Sequence, residues 1–177
     1  MKRIVILLAL ILSAANVYAE GQEKECPMPP APPASKELAL IKLLEGRWVG
    51  SGMEKEGKGE EAVVEYRVTS GGSAVEEKLG PGTPREMVSM YHDVKGKLAM
   101  THYCMLGNSP ELELKSADPG KIVLGESAAS QALLGGQMRM QGLTLEQPDK
   151  DTLIQTWTGQ DSEGKPQPPT ILKFKRV

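Results

Sequence analysis

After Gly46 the chain breaks into runs of five to nine residues in which apolar and polar side chains alternate, divided by glycine, proline and acidic turns. Period-two alternation bounded by turn residues is the signature of a half-buried strand. It predicts ten strands: Arg47 to Met53, Ala62 to Thr69, Ala74 to Leu79, Arg85 to His92, Lys97 to Met105, Glu111 to Ser116, Lys121 to Gly125, Met138 to Gln147, Thr152 to Gly159 and Thr170 to Val177. The links are short, with turn signals at 93–96, 118–120, 148–151 and 161–164, so consecutive strands pair as an antiparallel meander. Ten such strands exceed what a small open sheet carries, and closure into a barrel or sandwich follows. On β-strand 138–147 the apolar parity moves from Met138 and Met140 to Leu143 and Leu145, which predicts a bulge at Gly142. The alanine- and leucine-rich stretch 127–136 interrupts the rhythm and reads as a helical turn or a flap over one end.

The first 46 residues have a different grain. Lys2 and Arg3 precede an apolar run from Ile4 to Leu12, and small residues lead to Ala19, the pattern of an export signal cleaved near Ala19. That run is about half of the roughly twenty residues a membrane helix needs, so no stable membrane insertion is expected after cleavage. Residues 20–34 carry Pro27, Pro29, Pro30, Pro32 and Pro33 and read as an extended tail. Ser35 caps a short helix with the apolar positions Leu38, Leu40, Ile41, Leu43 and Leu44, ending at Gly46. One barrel domain, 35–177, remains, placed in the periplasm or secreted. With Lys2 and Arg3 removed the mature chain holds 19 basic and 23 acidic residues, and so no electrostatic footprint for nucleic acid. Export permits a bridge between Cys26 and Cys104, and spacing does not decide whether it forms.

Two resemblances narrow the reading. The segment Leu44-Glu45-Gly46-Arg47-Trp48-Val49-Gly50, a short helix running into Gly-x-Trp on the first strand, resembles the entry of calycin barrels, the superfamily of lipocalins, fatty-acid-binding proteins and nitrobindin-like haem proteins. The resemblance implies a mainly β, calycin-like barrel after one short helix. It also implies that Trp48 closes one end beneath a basic side chain from the last strand, with Lys173, Lys175 and Arg176 available and Arg176 preferred. Nitrobindin-like barrels ligate haem through a late histidine, whereas this chain has none after His102, so no cofactor is expected. Met87 to His92, Thr101-His102-Tyr103-Cys104, Gly107-Asn108 and Gln155-Thr156-Trp157-Thr158 resemble a group of exported bacterial proteins without an assigned activity. A His-x-His pair marks that group, but Gly136-Gln137-Met138 stands in its place here, and the metal role is not carried over.

The cluster with most chemical potential is His102 and Cys104, two apart on one predicted strand and therefore on one face with Leu98 and Met100. Imidazole and thiolate are good metal ligands or nucleophile partners, but no third residue is in sequence to complete a site. His92 lies across the hairpin turn, on the order of 13 to 17 Å from His102. The paired carboxylates Glu60-Glu61 and Glu76-Glu77 read as solvated faces, and no serine has a nucleophile elbow around it. Methionines fill irregular apolar space. The leading expectation is therefore an exported, non-enzymatic module binding a small apolar or amphiphilic ligand among Met90, Met100, His102, Cys104, Met138, Met140 and Trp157. Its rivals are an envelope interaction protein using the proline-rich tail, and a thiol- or metal-dependent activity at Cys104 and His102.

Overall fold

The computed structural model describes residues 33–51 and 61–177. The ten strands are β1 Gly46–Ser51, β2 Glu61–Thr69, β3 Ala74–Leu79, β4 Met87–Val94, β5 Lys97–Tyr103, β6 Glu111–Asp118, β7 Lys121–Glu126, β8 Arg139–Asp149, β9 Thr152–Gln160 and β10 Thr170–Arg176. Each is antiparallel to its sequence neighbours, and β10 returns to β1, so the sheet closes on itself and leaves no unpaired edge. The architecture is the mainly β closed barrel that the strand count predicts, preceded by a short helix, α1 Lys36–Lys42. The alanine-rich interruption is a second short helix, α2 Ala128–Leu133. The expected bulge is also present, as a register shift between Met140 and Gly142.

Where strand limits differ from expectation, turn chemistry explains the change. β4 starts at Met87 because Thr83 and Glu86 donate back to Gly80 and Thr83, making a double turn through Arg85. It runs on to Val94 because the two-residue link Lys95-Gly96 has positive φ at both positions, 52° and 75°, as a tight twisted hairpin requires. Gly52 and Met53 of the first predicted strand, the leader, Cys26 and nearly all of the tail lie outside the described residues.

Because every pairing is antiparallel, connections alternate between the two ends of the barrel. Four short links, at 70–73, 95–96, 119–120 and 150–151, lie at the end where α1 enters β1. The longer links, including 80–86, 104–110, α2 with its flanks, and 161–169, lie at the other. Ser35 fixes the start of α1: its hydroxyl accepts from the Leu38 amide at 3.0 Å and donates to Asp93 at 2.7 Å, while its own amide donates to the same carboxylate at 2.6 Å. Leu38, Ile41 and Leu44 then point into the core at 1–3% exposure. Leu40 and Leu43, expected in the same stripe, face outward at 42% and 63%.

The α1 end is locked by one stack. Trp48 is fully buried and donates its indole N–H to the Leu44 carbonyl at 2.8 Å. The Arg176 guanidinium lies 4.0 Å from the Trp48 ring centroid, as the resemblance implied. It also donates to the carbonyls of Glu45 at 2.7 Å and Leu43 at 2.8 Å, the last acceptors of the helix. Trp48 and Arg176 are register partners across the β1–β10 seam, so the same side chains that cover the core join helix to seam. Close approach there also demands Gly50, since a Cβ on it would lie 1.8 Å from the Lys173 carbonyl oxygen. Replacing Arg176 by alanine removes the stack and both carbonyl contacts and should cost about 2 kcal/mol in urea unfolding. Arg176→Lys, which keeps the charge but not the planar fork, should recover less than half of that loss.

Candidate functional site

Inside the barrel, the alternation that buries Val64, Val75, Leu98 and Leu153 also buries polar side chains in the same phase. Tyr66 on β2 is the register partner of Glu77 on β3, Glu77 of Ser89 on β4, and Ser89 of His102 on β5. All four point inward and are 1–3% exposed. They therefore form one polar row around nearly half of the barrel. Across the interior, β9 answers with Gln155 and Trp157, at 0% and 2% exposure.

Hydrogen bonds join these groups. The Trp157 indole N–H donates to Gln155 Oε1 at 3.0 Å, and the Gln155 amide donates to the Tyr66 hydroxyl at 2.7 Å. Tyr91, one inward step below Ser89, donates its hydroxyl to Glu77 Oε2 at 2.5 Å. Ser89 Oγ lies 3.0 Å from His102 Nδ1, and the imidazole packs against Trp157 with ring centroids 4.7 Å apart. Two buried atoms of the row, Glu77 Oε1 and His102 Nε2, have no hydrogen-bond partner among the described residues. A buried polar atom without a partner costs on the order of 1–3 kcal/mol, so each marks an unmet demand for a hydrogen bond.

Burial sets the protonation of the row. It lowers the His102 pKa to about 4, so the ring is neutral at physiological pH. It raises the Glu77 carboxyl, against the opposing pull of the Tyr91, Tyr66 and Gln155 groups around it. Both tyrosine hydroxyls are held protonated, first by burial and then by the neighbouring Glu77 charge. The order along the row sets Ser89 between carboxyl and imidazole, and no carboxylate contacts the second imidazole nitrogen among the described residues. The Ser-His-acid relay of acyl transfer is therefore not assembled. Nor do three or more His, Cys, Asp or Glu side chains among the described residues converge as a metal site.

Above the row, toward the long-loop end, the next inward positions are Leu79 and Met87. With Ala62, Thr170 and Leu172 they line a cavity of about 510 Å³ at the mouth of the barrel, whose rim also carries Glu61, Thr83 and Arg85. Thr170 is the register partner of Trp157, which places the aromatic edge of the polar layer beside the cavity wall. On β3 and β4 the step from Leu79 to Glu77, or from Met87 to Ser89, is about 7 Å.

Of the residues expected to line the interior, Met100, His102 and Trp157 are buried there, and Met140 is partly buried against the core. Three stand elsewhere. Ser89 and Tyr91 take the inward phase of β4, which turns Met90 to the outer face beside His92. Met138 precedes β8, is 48% exposed, and is held in the loop by its carbonyl accepting from Asn108. Cys104 lies beyond the end of β5 in a tight turn, its amide donating to Asn108 and its carbonyl accepting from Gly107, so the expected His102 and Cys104 pair does not share a strand face. It is partly buried and forms no disulfide among the described residues.

A larger correction concerns Glu76-Glu77. Glu76 is the solvated residue expected, paired to Arg67 at 3.1 Å on the outer face, while Glu77 is 1% exposed within the barrel. Glu77, Ser89 and Gln155 were legible from parity: each falls in phase with apolar neighbours, as Glu77 does with Val75 and Leu79. Arg139 and Glu126 form a second buried polar pair, at 2.5 and 3.0 Å. The Arg139 fork also holds the carbonyls of Leu134 and Gln137, which ties down the end of α2. No protein-family model matches the chain, and no curated protein matches it.

The depressed His102 pKa fixes a pH response. Between about pH 6.5 and 4 the unfolded chain binds a proton that the fold refuses, so this contribution is complete above the ordinary histidine value and is lost as pH falls. Glu77, raised by burial, has the opposite sign. Comparing wild type with His102→Gln cancels the Glu77 contribution. The stability difference between the two proteins should change by about 2 kcal/mol between about pH 7.5 and pH 5, measured by urea unfolding, with wild type losing more.

Proposed function

We propose that this chain is an exported binding module whose calycin-like barrel takes a small apolar or amphiphilic molecule through the long-loop end. The observation that carries the reading is the pairing of a largely apolar mouth cavity of about 510 Å³ with a buried polar row beneath it that retains unpartnered atoms. Ligand sites combine an apolar lining in the range of about 300–1,000 Å³ with a few placed polar groups, and this interior has both. Burying an apolar ligand gains roughly 25 cal/mol per Å² removed from water, so binding of this kind requires no catalytic group. The Arg176 cover on Trp48 and the closed meander support the calycin-like assignment. The charged start, apolar run and small-residue exit up to Ala19 support export to the periplasm or beyond.

Native mass spectrometry of the full chain, expressed with its leader and purified without denaturant, tests the reading together with titration of the neutral fluorophore N-phenyl-1-naphthylamine. A mass increment that denaturation releases, or saturable fluorophore binding, is the expected result. Met87→Trp, which fills the cavity from its rim, should weaken fluorophore binding about tenfold while moving the thermal midpoint by only a few degrees. A bare polypeptide mass with no fluorophore binding would end the proposal.

A further inference from the structure

The row beneath the cavity also selects the charge of what it meets. Resting on the binding reading above, we infer that the ligand is an amphiphile with an uncharged head that both donates and accepts hydrogen bonds, a hydroxyl in the simplest case, seated between Glu77 Oε1 and His102 Nε2.

Three features of the interior lead there. First, among the described residues no cation touches the row, and Arg85, which lines the cavity above it, stands at the exposed rim in the link between β3 and β4. Of the basic side chains that reach the core, Arg139 is engaged by Glu126, Leu134 and Gln137, and Arg176 is spent on Trp48 and the helix carbonyls at the opposite end. A buried carboxylate or phosphate without a cation partner is strongly disfavoured, more so beside Glu77. Second, the imidazole is a mixed partner. In its neutral form one ring nitrogen donates and the other accepts, and Ser89, which can do either, faces Nδ1 at 3.0 Å. Whichever tautomer holds, Nε2 is left with a single donor or acceptor role. A hydroxyl can answer both cases; a carboxylate can only accept and an ammonium can only donate. Third, Glu77 is a weaker anchor of the same kind: Tyr91 donates to its Oε2, and its Oε1 makes no direct hydrogen bond among the described residues, although Tyr66 and Gln155 stand close enough to pull its pKa down. A hydroxyl satisfies that oxygen whether the carboxyl is ionised or not.

Glu77 and His102 stand two strands apart in one row with Ser89 between them, about 10 Å between backbones, and the row lies one inward step, about 7 Å, below Leu79 and Met87 of the cavity lining. The alkyl part then extends up past Leu79 and Met87 into the apolar mouth.

The test is displacement of N-phenyl-1-naphthylamine from the wild-type protein at neutral pH by decanol, decanoate and decylammonium, which share a chain and differ in head charge. Decanol is expected to displace the fluorophore at concentrations at least about tenfold lower than either ion. In His102→Leu that advantage should fall below about threefold, and if the variant does not fold the wild-type series decides alone. An advantage of decanol under about tenfold in wild type, or a charged probe binding as tightly, overturns the inference while leaving the binding reading intact. Failure of the fluorophore and all three probes to bind removes both.

Discussion

Closure of the sheet rests on the seam between β1 and β10, and the Arg176 stack on Trp48 is what holds that seam to the rest of the molecule. Every other strand pair is formed by strands consecutive in sequence, so its closure entropy is modest, whereas β1 and β10 meet from opposite ends of the domain. The cost of that long-range contact is offset by groups that do several things at once. Trp48 fills the end of the core, gives its indole hydrogen to the helix and receives the guanidinium on its face. Arg176 then caps the same helix. Gly50 is the geometric counterpart, since the strands could not come together there around a side chain.

Given a closed barrel, the interior becomes a low-dielectric chamber, and the polar row has to be understood in that setting. Hydrogen bonds between Trp157, Gln155 and Tyr66 and between Tyr91 and Glu77 are stronger there than at a surface, and unmet groups are more costly. The same burial that would make Met100 or Leu112 ordinary core makes Glu77 and His102 groups of altered acidity. Stability alone would favour apolar residues of similar size at these positions. On the binding reading proposed above, their presence serves recognition.

The architecture was legible because it depends on signals of short range. Alternation, turn residues and the Ser35 cap act within a few residues, and nine of the ten strands could be placed close to their observed limits; the far end of the first falls outside the described residues. Even the Trp48 and Arg176 contact, 128 positions apart in sequence, was reachable through the entry motif. The polar row was not, because it exists only after registers are set. Nothing local tells Glu77 from Glu76 as charged residues; the phase of β3 tells them apart, and only the pairing of β3 with β2 and β4 brings Tyr66 and Ser89 alongside. Met90 shows the converse, an apolar residue whose composition suggested an interior that its parity denies. Cys104 departs for another reason: the strand ends one residue too soon for period-two reasoning to reach it.

The two ends of the barrel are unequal, and this has a consequence for how the molecule can be handled and displayed. Residue 33 precedes a helix anchored to Asp93, and Val177 donates its amide to Arg47, so the chain enters and leaves the described fold at the same closed pole. A tether, tag or neighbouring domain joined at either point would hang from the sealed side and leave the opposite mouth facing outward. Immobilised in that way, the protein would present its open pole uniformly to whatever solution or surface lies in front of it.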